Sequence, residues 1–151
     1  MTKSRLALSY LGECCVKLEL AKRGYKVVNS VPGFFFDLLG QDGKKIEVKA
    51  ALKSLSKKTK GDKSYNYPVW KFRLSLEQQK THPDFYVCVV LESLEKPPLG
   101  YFIFPKGSLE AYTENRSGML FIYESDLTGL VKMENKLNRH QYLNKWELIV
   151  S

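Results

Sequence analysis

The sequence predicts a single α/β domain in which a mixed β-sheet is flanked by helices. The chain has 151 residues, of which 44% are hydrophobic and 26% charged, which suits one globular domain with a buried core. A helical periodicity near the N-terminus is followed by short β-prone runs, among them the uninterrupted apolar run Phe85–Leu91. We expect a core over about residues 4–105 and a C-terminal extension, residues 106–151, that packs on this core or at an interface.

The first predicted element is a helix over residues 4–23. Its apolar residues recur at alternating steps of four and three, and we expect this stripe to face the core: Ala7, Leu11, Cys14, Leu18 and Ala21. Ser4 suits the N-cap, and Gly24 suits the stop after the last turn.

Three β-prone runs follow at residues 25–29, 34–39 and 45–50. The second and third predict a hairpin around a three-residue loop, residues 41–43, with Gly43 in the left-handed conformation. The lysine-rich stretch over residues 52–67 predicts an exposed mobile loop or a frayed hairpin.

The later elements are a short helix, a buried strand and several shorter segments. Ser75 and Gln78 fit a capping box for a helix to about residue 81. The run over residues 85–91 predicts a central strand, and another strand is expected at residues 100–105. Two further segments are interpreted as short strands or packing segments: residues 120–123 and 146–150.

The hairpin register follows from the apolar pattern of its two strands. With Gly40 opposite Lys44, the apolar residues of one face meet each other, in the pairs Leu38 with Ile46, Phe36 with Val48 and Phe34 with Ala50. The same register places Asp37 opposite Glu47, with Lys49 beside them on one charged face.

Two neighbouring carboxylates with a lysine suit phosphodiester hydrolysis. The carboxylates repel each other unless a cation lies between them, and oxygen ligation of this kind suits Mg²⁺, with Mn²⁺ as a substitute. The ammonium group of Lys49 can orient a water or neutralise charge on a phosphoryl transition state. Glu13 flanks the apolar face of the first helix and is a candidate third carboxylate, so the predicted metal ligands are Asp37, Glu47 and Glu13.

These residues resemble the signature of the PD-(D/E)XK nuclease superfamily. Asp37 matches its first acid, Glu47 and Lys49 match its E-x-K, and Glu13 is similar to a helix glutamate in the branch that contains Holliday-junction resolvases. The resemblance covers about residues 6–91, and Phe36 stands where the motif name has proline. It implies a restriction-endonuclease-like core, with elements in the order α-β-β-β-α-β, and metal-dependent DNA cleavage by a water nucleophile.

Composition favours a polyanion partner, such as nucleic acid or an anionic membrane surface, and the resemblance makes DNA the expected one. The formal net charge is +8, and residues 44–73 carry ten lysines and arginines against two acids, Glu47 and Asp62. The candidate DNA contacts are Lys53, Lys57, Lys58, Lys60, Lys63, Lys71, Arg73 and Arg139. A solvated, solubilising loop is the alternative interpretation of this lysine-rich stretch.

Several functional alternatives remain open at this point. The substrate could be a branched junction recognised by shape or a duplex site read by sequence, as junction resolvases or homing and restriction enzymes would do. A catalytically inactive DNA-binding or structural subunit is the rival from another class. Because one chain offers one centre, cutting two strands predicts a symmetric homo-oligomer, a dimer or higher. We expect a cytoplasmic protein without a membrane role.

Overall fold

The computed structural model describes residues 3–31, 36–74, 83–109, 118–130 and 139–150. In chain order the elements are α1 (Lys3–Lys22), β1 (Val27–Asn29), β2 (Leu38–Gly40), β3 (Lys45–Leu52), β4 (Ser54–Lys60), β5 (Lys63–Arg73), β6 (Phe85–Leu91), β7 (Gly100–Pro105), β8 (Met119–Tyr123), α2 (Glu124–Thr128), a 3₁₀ turn (Arg139–Tyr142) and α3 (Glu147–Val150). None of the helices in these ranges is long and apolar enough to cross a membrane.

Two sheets form the framework. The larger sheet has the strand order β1-β2-β3-β6-β7, and it is mixed because β3 and β6 run parallel while its other pairs are antiparallel. The smaller sheet is antiparallel, with the order β4-β5-β8. The mixed α/β class expected from the sequence is therefore observed.

Strand β6 separates two apolar cores, as its uninterrupted apolar run predicts. All seven of its residues are buried. Val87 and Val89 join the core formed with α1, whereas Cys88 and Val90 join the core formed with the smaller sheet. Because alternate side chains point to opposite faces, a strand covered on both sides must be apolar throughout.

Helix α1 packs on the larger sheet through a different face from the predicted one. Val16 and Leu20 are fully buried in the first core, and Gly12 is buried against β3, where an added Cβ would lie 2.8 Å from the Cβ of Ala50. This close approach selects the face that carries glycine. The prediction that the Ala7 stripe faces the core is wrong: Leu11 is half-buried, but the other four residues are exposed, namely Ala7, Cys14, Leu18 and Ala21.

The lysine-rich stretch forms a hairpin, the second of the two alternatives left open by the sequence. Strands β4 and β5 pair from Ser54 with Val69 to Lys60 with Lys63. The short helix expected near residues 75–81 and the pairing expected for Phe34 lie outside the described residues.

The C-terminal segments are built into the cores of the same chain. Strand β8 pairs with β5 and buries Leu120 and Ile122, while Trp146 and Ile149 are buried beneath α1. Of the two interpretations left open for residues 146–150, the packing segment is observed and the strand is not, since Glu147–Val150 is helical. The four buried side chains are used in the cores of their own chain, so they are not available as an interface surface.

Candidate functional site

The β2–β3 hairpin sets the position of the three predicted site residues. Leu38 pairs with Ile46, and the N–H of Gly40 donates to the carbonyl oxygen of Lys44 at 2.8 Å. Gly43 has a φ of 86°, as the three-residue loop requires. The predicted register is confirmed for this part of the hairpin.

The ladder ends at Leu38, earlier than the sequence suggested. The N–H of Asp37 donates to Ile46 at 3.0 Å, and its side-chain Oδ2 accepts a hydrogen bond from the N–H of Val48 at 2.8 Å. The predicted strand pair of Phe36 with Val48 is therefore wrong. The carboxylate of Asp37 has taken the place of a backbone partner at the end of the strand.

Three carboxyl groups meet at this point. Asp37 is within hydrogen-bonding reach of the side chains of both Glu13 and Glu47. Burial, and then the charge of Asp37, raise the pKa of Glu13 to about 7 and that of Glu47 to about 8. The structure thus brings together the helix glutamate and the hairpin acids that the sequence placed on separate elements.

Lys49 supplies a positive charge on the same face of β3. Its Nζ lies 3.5 Å from Oε1 of Glu47, whose side chain is 5% exposed against 26% for Lys49. Since Lys49 is the more accessible of the two, its ammonium group can reach a bound phosphate while it remains beside Glu47.

A cleft of about 710 Å³ opens over this charged face. Asp37, Glu47 and Lys49 form part of one wall, and the remaining lining includes three cations from other elements: Arg5, Lys71 and Arg73. Glu13 lines an adjoining recess of about 310 Å³ that shares Ser9 and Asp37 with the cleft. In such an arrangement the acids can bind a metal ion, and the surrounding cations can hold a phosphodiester next to it.

The donor set fits Mg²⁺ with few protein ligands. In the described ranges no group of three or more His, Cys, Asp or Glu side chains forms a preformed metal cage. Mg²⁺, however, is usually held by one or two carboxylates together with waters and substrate phosphate oxygens. Two oxygen donors, Asp37 and Glu47, have the required chemistry, and the crowding of negative charge around them favours a cation.

One buried hydroxyl beside these acids supports a further polar ligand. The Oη of Tyr86 is buried and makes no hydrogen bond with any of the described residues. Tyr86 pairs with Glu47 across β6 and β3, and burial together with the charge of Glu47 raises the pKa of its hydroxyl. A buried polar group without a partner is costly, so a polar atom that arrives with a bound metal ion or substrate would be stabilised there.

The comparison with solved structures gives a clear similarity over nearly the whole chain. The structure of a bacterial homing endonuclease, I-Ssp6803I, is similar with a TM-score of 0.64 and 18% sequence identity, and the match covers 99% of this chain and 93% of that chain. The fold is restriction-endonuclease-like. No protein-family model matches the chain, and no curated protein sequence matches it.

The restriction-endonuclease-like core places further residues that the sequence analysis missed. Arg5 and Ser9 line the cleft and precede Glu13 at steps of four, so one face of α1 carries all three toward the site. This i, i+4 spacing was available in the sequence. The position of Tyr86 was not, because it depends on the parallel pairing of β3 with β6.

The predicted DNA contacts fall into three places. Lys71 and Arg73 line the cleft, and Lys53 lies between β3 and β4, where its Nζ is 3.7 Å from Glu92. The other lysines are exposed on the β4–β5 hairpin: Lys57, Lys58, Lys60 and Lys63.

Arg139 does not belong with them. Its side chain is 9% exposed, its Nη1 lies 3.9 Å from the buried carboxylate of Asp126, and its guanidinium group lies over the ring of Tyr123. A guanidinium buried in this way is a packing and ion-pair group, which corrects its assignment as a DNA contact.

Proposed function

We propose that the chain is a metal-dependent endodeoxyribonuclease that hydrolyses a phosphodiester bond with a water nucleophile. The observation that carries this proposal is the convergence of Asp37, Glu47 and Lys49 on the wall of a cation-rimmed cleft. The structural similarity to a homing endonuclease supports it, because that protein shares the fold over nearly the full length.

Each residue of the site has a distinct part in this proposal. Asp37 and Glu47 would hold Mg²⁺, with Mn²⁺ as a substitute, and Glu13 would act as a third ligand or hold a water between α1 and the metal. When bound, Mg²⁺ supplies Lewis-acid polarisation of the phosphate and of a water. Lys49 orients the attacking water and offsets negative charge on the phosphoryl group. Arg73 and Lys71 position the DNA backbone across the cleft.

For the substrate we propose a duplex site recognised by sequence, with action in the cytoplasm. Support for the substrate comes from the structural similarity to a homing endonuclease and from the exposed two-stranded hairpin beside the cleft. A four-way junction is the competing substrate, and it belongs in the same assay.

We also propose that two copies of the chain act together. One chain contributes one Asp37–Glu47–Lys49 centre, so cutting both strands of a duplex needs two centres in a fixed relation. The exposed stripe of α1 formed by Tyr10, Cys14 and Leu18 is a suitable contact surface, because Tyr10 is 61% and Leu18 57% exposed on a helix whose other side already packs on the sheet. Cys14 lies at the middle of this stripe and is exposed.

The activity is tested by nicking of supercoiled plasmid with Mg²⁺, Mn²⁺, Ca²⁺ or EDTA, alongside a four-way junction and a random duplex library. We expect cleavage with Mg²⁺ or Mn²⁺, binding without turnover in Ca²⁺, and loss of cleavage in Glu47→Gln and Lys49→Met. The matched controls are Glu147→Gln and Lys106→Met, since both residues are exposed and neither lines the cleft. Cleavage by Glu47→Gln at the wild-type rate under saturating Mg²⁺ would refute the site.

The same experiment separates the rival function. DNA binding by the wild type without turnover in any of these metals would favour the inactive DNA-binding subunit. For the assembly, sedimentation equilibrium should give at least a dimer for the wild type and a monomer for Leu18→Glu, with Leu99→Glu, at 45% exposure, as the matched control. A wild-type monomer that cuts both strands in one encounter would contradict the proposed assembly.

A further inference from the structure

The β4–β5 hairpin extends beyond the third strand of the smaller sheet. Strand β8 pairs with β5 only from Val69 to Arg73, so residues 55–60 and 63–68 form a two-stranded arm with no third strand from the described residues beside it. Every residue from 57 to 66 is exposed. At about 3.3 Å per residue the arm is about 20 Å long. A bare two-stranded ribbon is marginally stable in water, which favours a function that uses its surface.

The two faces of the arm differ in chemistry. The register pairs Lys58 with Tyr65 and Lys60 with Lys63, so these four residues lie on one face, which we name the cationic face. The opposite face pairs Leu55 with Pro68, Lys57 with Asn66 and Thr59 with Ser64. Lys57 and Lys58 are therefore adjacent lysines that point to opposite sides.

The cationic face lies on the same side of β5 as the cleft-lining cations, and the half-buried Tyr67 and the buried Val69 lie between them. Alternate residues of a strand point to the same face, and Lys63, Tyr65, Lys71 and Arg73 are all separated by even numbers of residues along β5. They therefore share one face of the strand, and the last two line the cleft. Six residues of strand separate Tyr65 from Lys71, which corresponds to about 20 Å. At about 3.4 Å per base pair, this is about six base pairs of duplex.

We propose that the arm lies in the major groove of the DNA with its cationic face toward the base pairs, and that it reads sequence about six base pairs from the cut. The inference rests on the proposed nuclease function and adds the determinants of its specificity. The major groove is wide enough to admit a two-stranded β-ribbon, and lysine can donate to the O6 and N7 acceptors of guanine there. Tyr65 adds a flat, half-exposed ring that can pack against sugar or a thymine methyl group.

The test compares the adjacent lysines of the two faces. Lys58→Met and Lys57→Met remove the same charge from neighbouring exposed positions, so general electrostatic attraction predicts equal effects. Both are built on the Glu47→Gln background and measured by fluorescence anisotropy in Ca²⁺ at fixed salt. The probe is a duplex that carries the cleavage site recovered from the random library with the wild type.

We expect Lys58→Met to weaken binding of this duplex at least about tenfold and to lower its preference over a scrambled duplex. Lys57→Met can lose only the general electrostatic contribution of one charge, so it should weaken binding less and leave the preference unchanged. Replacing guanines about six base pairs from the cut with 7-deazaguanine should weaken binding by the protein with Lys58 intact about as much as Lys58→Met does. The same replacement should weaken binding by Lys58→Met little further. Tyr65→Ser and Asn66→Ser form a second matched pair, with the larger loss expected for Tyr65.

The outcomes distinguish the inference from the nuclease function. If the wild type cleaves DNA but the two lysine variants bind equally, or the deaza duplex binds as well as the parent, the arm does not read the groove and the nuclease proposal stands. If the wild type neither binds nor cleaves any of the duplexes, both proposals fail.

Discussion

The carboxylate of Asp37 accepts a hydrogen bond of 2.8 Å from the backbone N–H of Val48, the residue between Glu47 and Lys49. One side chain therefore does two things: it holds the backbone of β3 in place and contributes charge to the acidic cluster. Because these roles need different properties of the side chain, substitutions can separate them.

Asp37→Asn and Asp37→Ala should separate geometry from charge. Asparagine keeps a side-chain oxygen that can accept from Val48, so we expect its free energy of unfolding to stay within about 1 kcal/mol of the wild type. Alanine leaves that N–H without its partner and should cost about 1–3 kcal/mol. Both variants should lose DNA cleavage. Urea unfolding and plasmid nicking are the measurements, and equal stability of the two variants would contradict the structural role.

Glu47→Gln should stabilise the metal-free protein at high pH. The pKa of Glu47 is raised from 4.5 to about 8 by burial and by Asp37, with Lys49 opposing the shift. Glu13 adds a carboxyl group beside Asp37 from α1, and Tyr86 faces Glu47 from β6. A carboxyl whose folded-state pKa is raised weakens the fold as the pH rises between the two values, and it does so fully above the higher one.

We expect the stabilisation by Glu47→Gln to be about 1–3 kcal/mol at pH 9 in EDTA and to vanish near pH 4. Added Mg²⁺ should raise the melting temperature of the wild type but not that of Glu47→Gln. The exposed Glu147→Gln is the control and should be neutral at both pH values. If Glu47→Gln were less stable than the wild type at pH 9, the carboxylate of Glu47 would be favourably solvated in the folded protein.

Enlarging Gly12 should move helix α1 away from the site. An added Cβ would lie 2.8 Å from the Cβ of Ala50, which neighbours Lys49 on β3, while Glu13 follows Gly12 on the helix. Alanine would gain about 1 kcal/mol of helix propensity at an open position, so a net loss of stability for Gly12→Ala would report the steric contact. We expect that loss, a larger one for Gly12→Val, and slower cleavage in both, by thermal unfolding and plasmid nicking. A more stable Gly12→Ala would contradict the close packing.

Two tyrosines should respond differently to removal of the hydroxyl group. The hydroxyl of Tyr25 donates to Asp42, whereas that of Tyr86 has no partner within the described ranges. Tyr25→Phe should therefore lose about 1 kcal/mol of stability, and Tyr86→Phe in EDTA should be neutral or more stable. Chemical unfolding at neutral pH measures both. A loss for Tyr86→Phe as large as that for Tyr25→Phe would mean that the buried hydroxyl is already satisfied by water.

Arg139 and Lys71 should separate stability from DNA binding. Arg139→Met leaves the buried carboxylate of Asp126 without its nearby cation, so we expect a loss of about 3–5 kcal/mol and an unchanged salt dependence of DNA affinity in the folded fraction. Lys71→Met should leave stability nearly unchanged and reduce the slope of log affinity against log salt by about one. If Arg139→Met left stability unchanged but reduced the salt dependence of DNA affinity, Arg139 would be a DNA contact after all.

Local pattern was sufficient for much of the framework. The continuous apolar run of β6 predicts a strand covered on both faces, and the apolar pairs and Gly43 predict the hairpin register as far as Leu38. The acid–acid–lysine set is a local feature too, because alternation along β3 puts Glu47 and Lys49 on one face whatever the rest of the fold does.

The tertiary structure decided what depends on contacts between distant segments. Helix α1 carries apolar residues on two sides, so periodicity alone favoured the Ala7 stripe, whereas the approach of Gly12 to Ala50 selects the other face. The burial of Arg139 depends on Asp126, and the place of Tyr86 beside Glu47 depends on a parallel strand pair. The sequence by itself determined the N-terminal helix, the site hairpin, the central strand and the chemical groups, since these follow from neighbouring residues. Which groups meet was decided by packing, because it joins residues that are far apart along the chain.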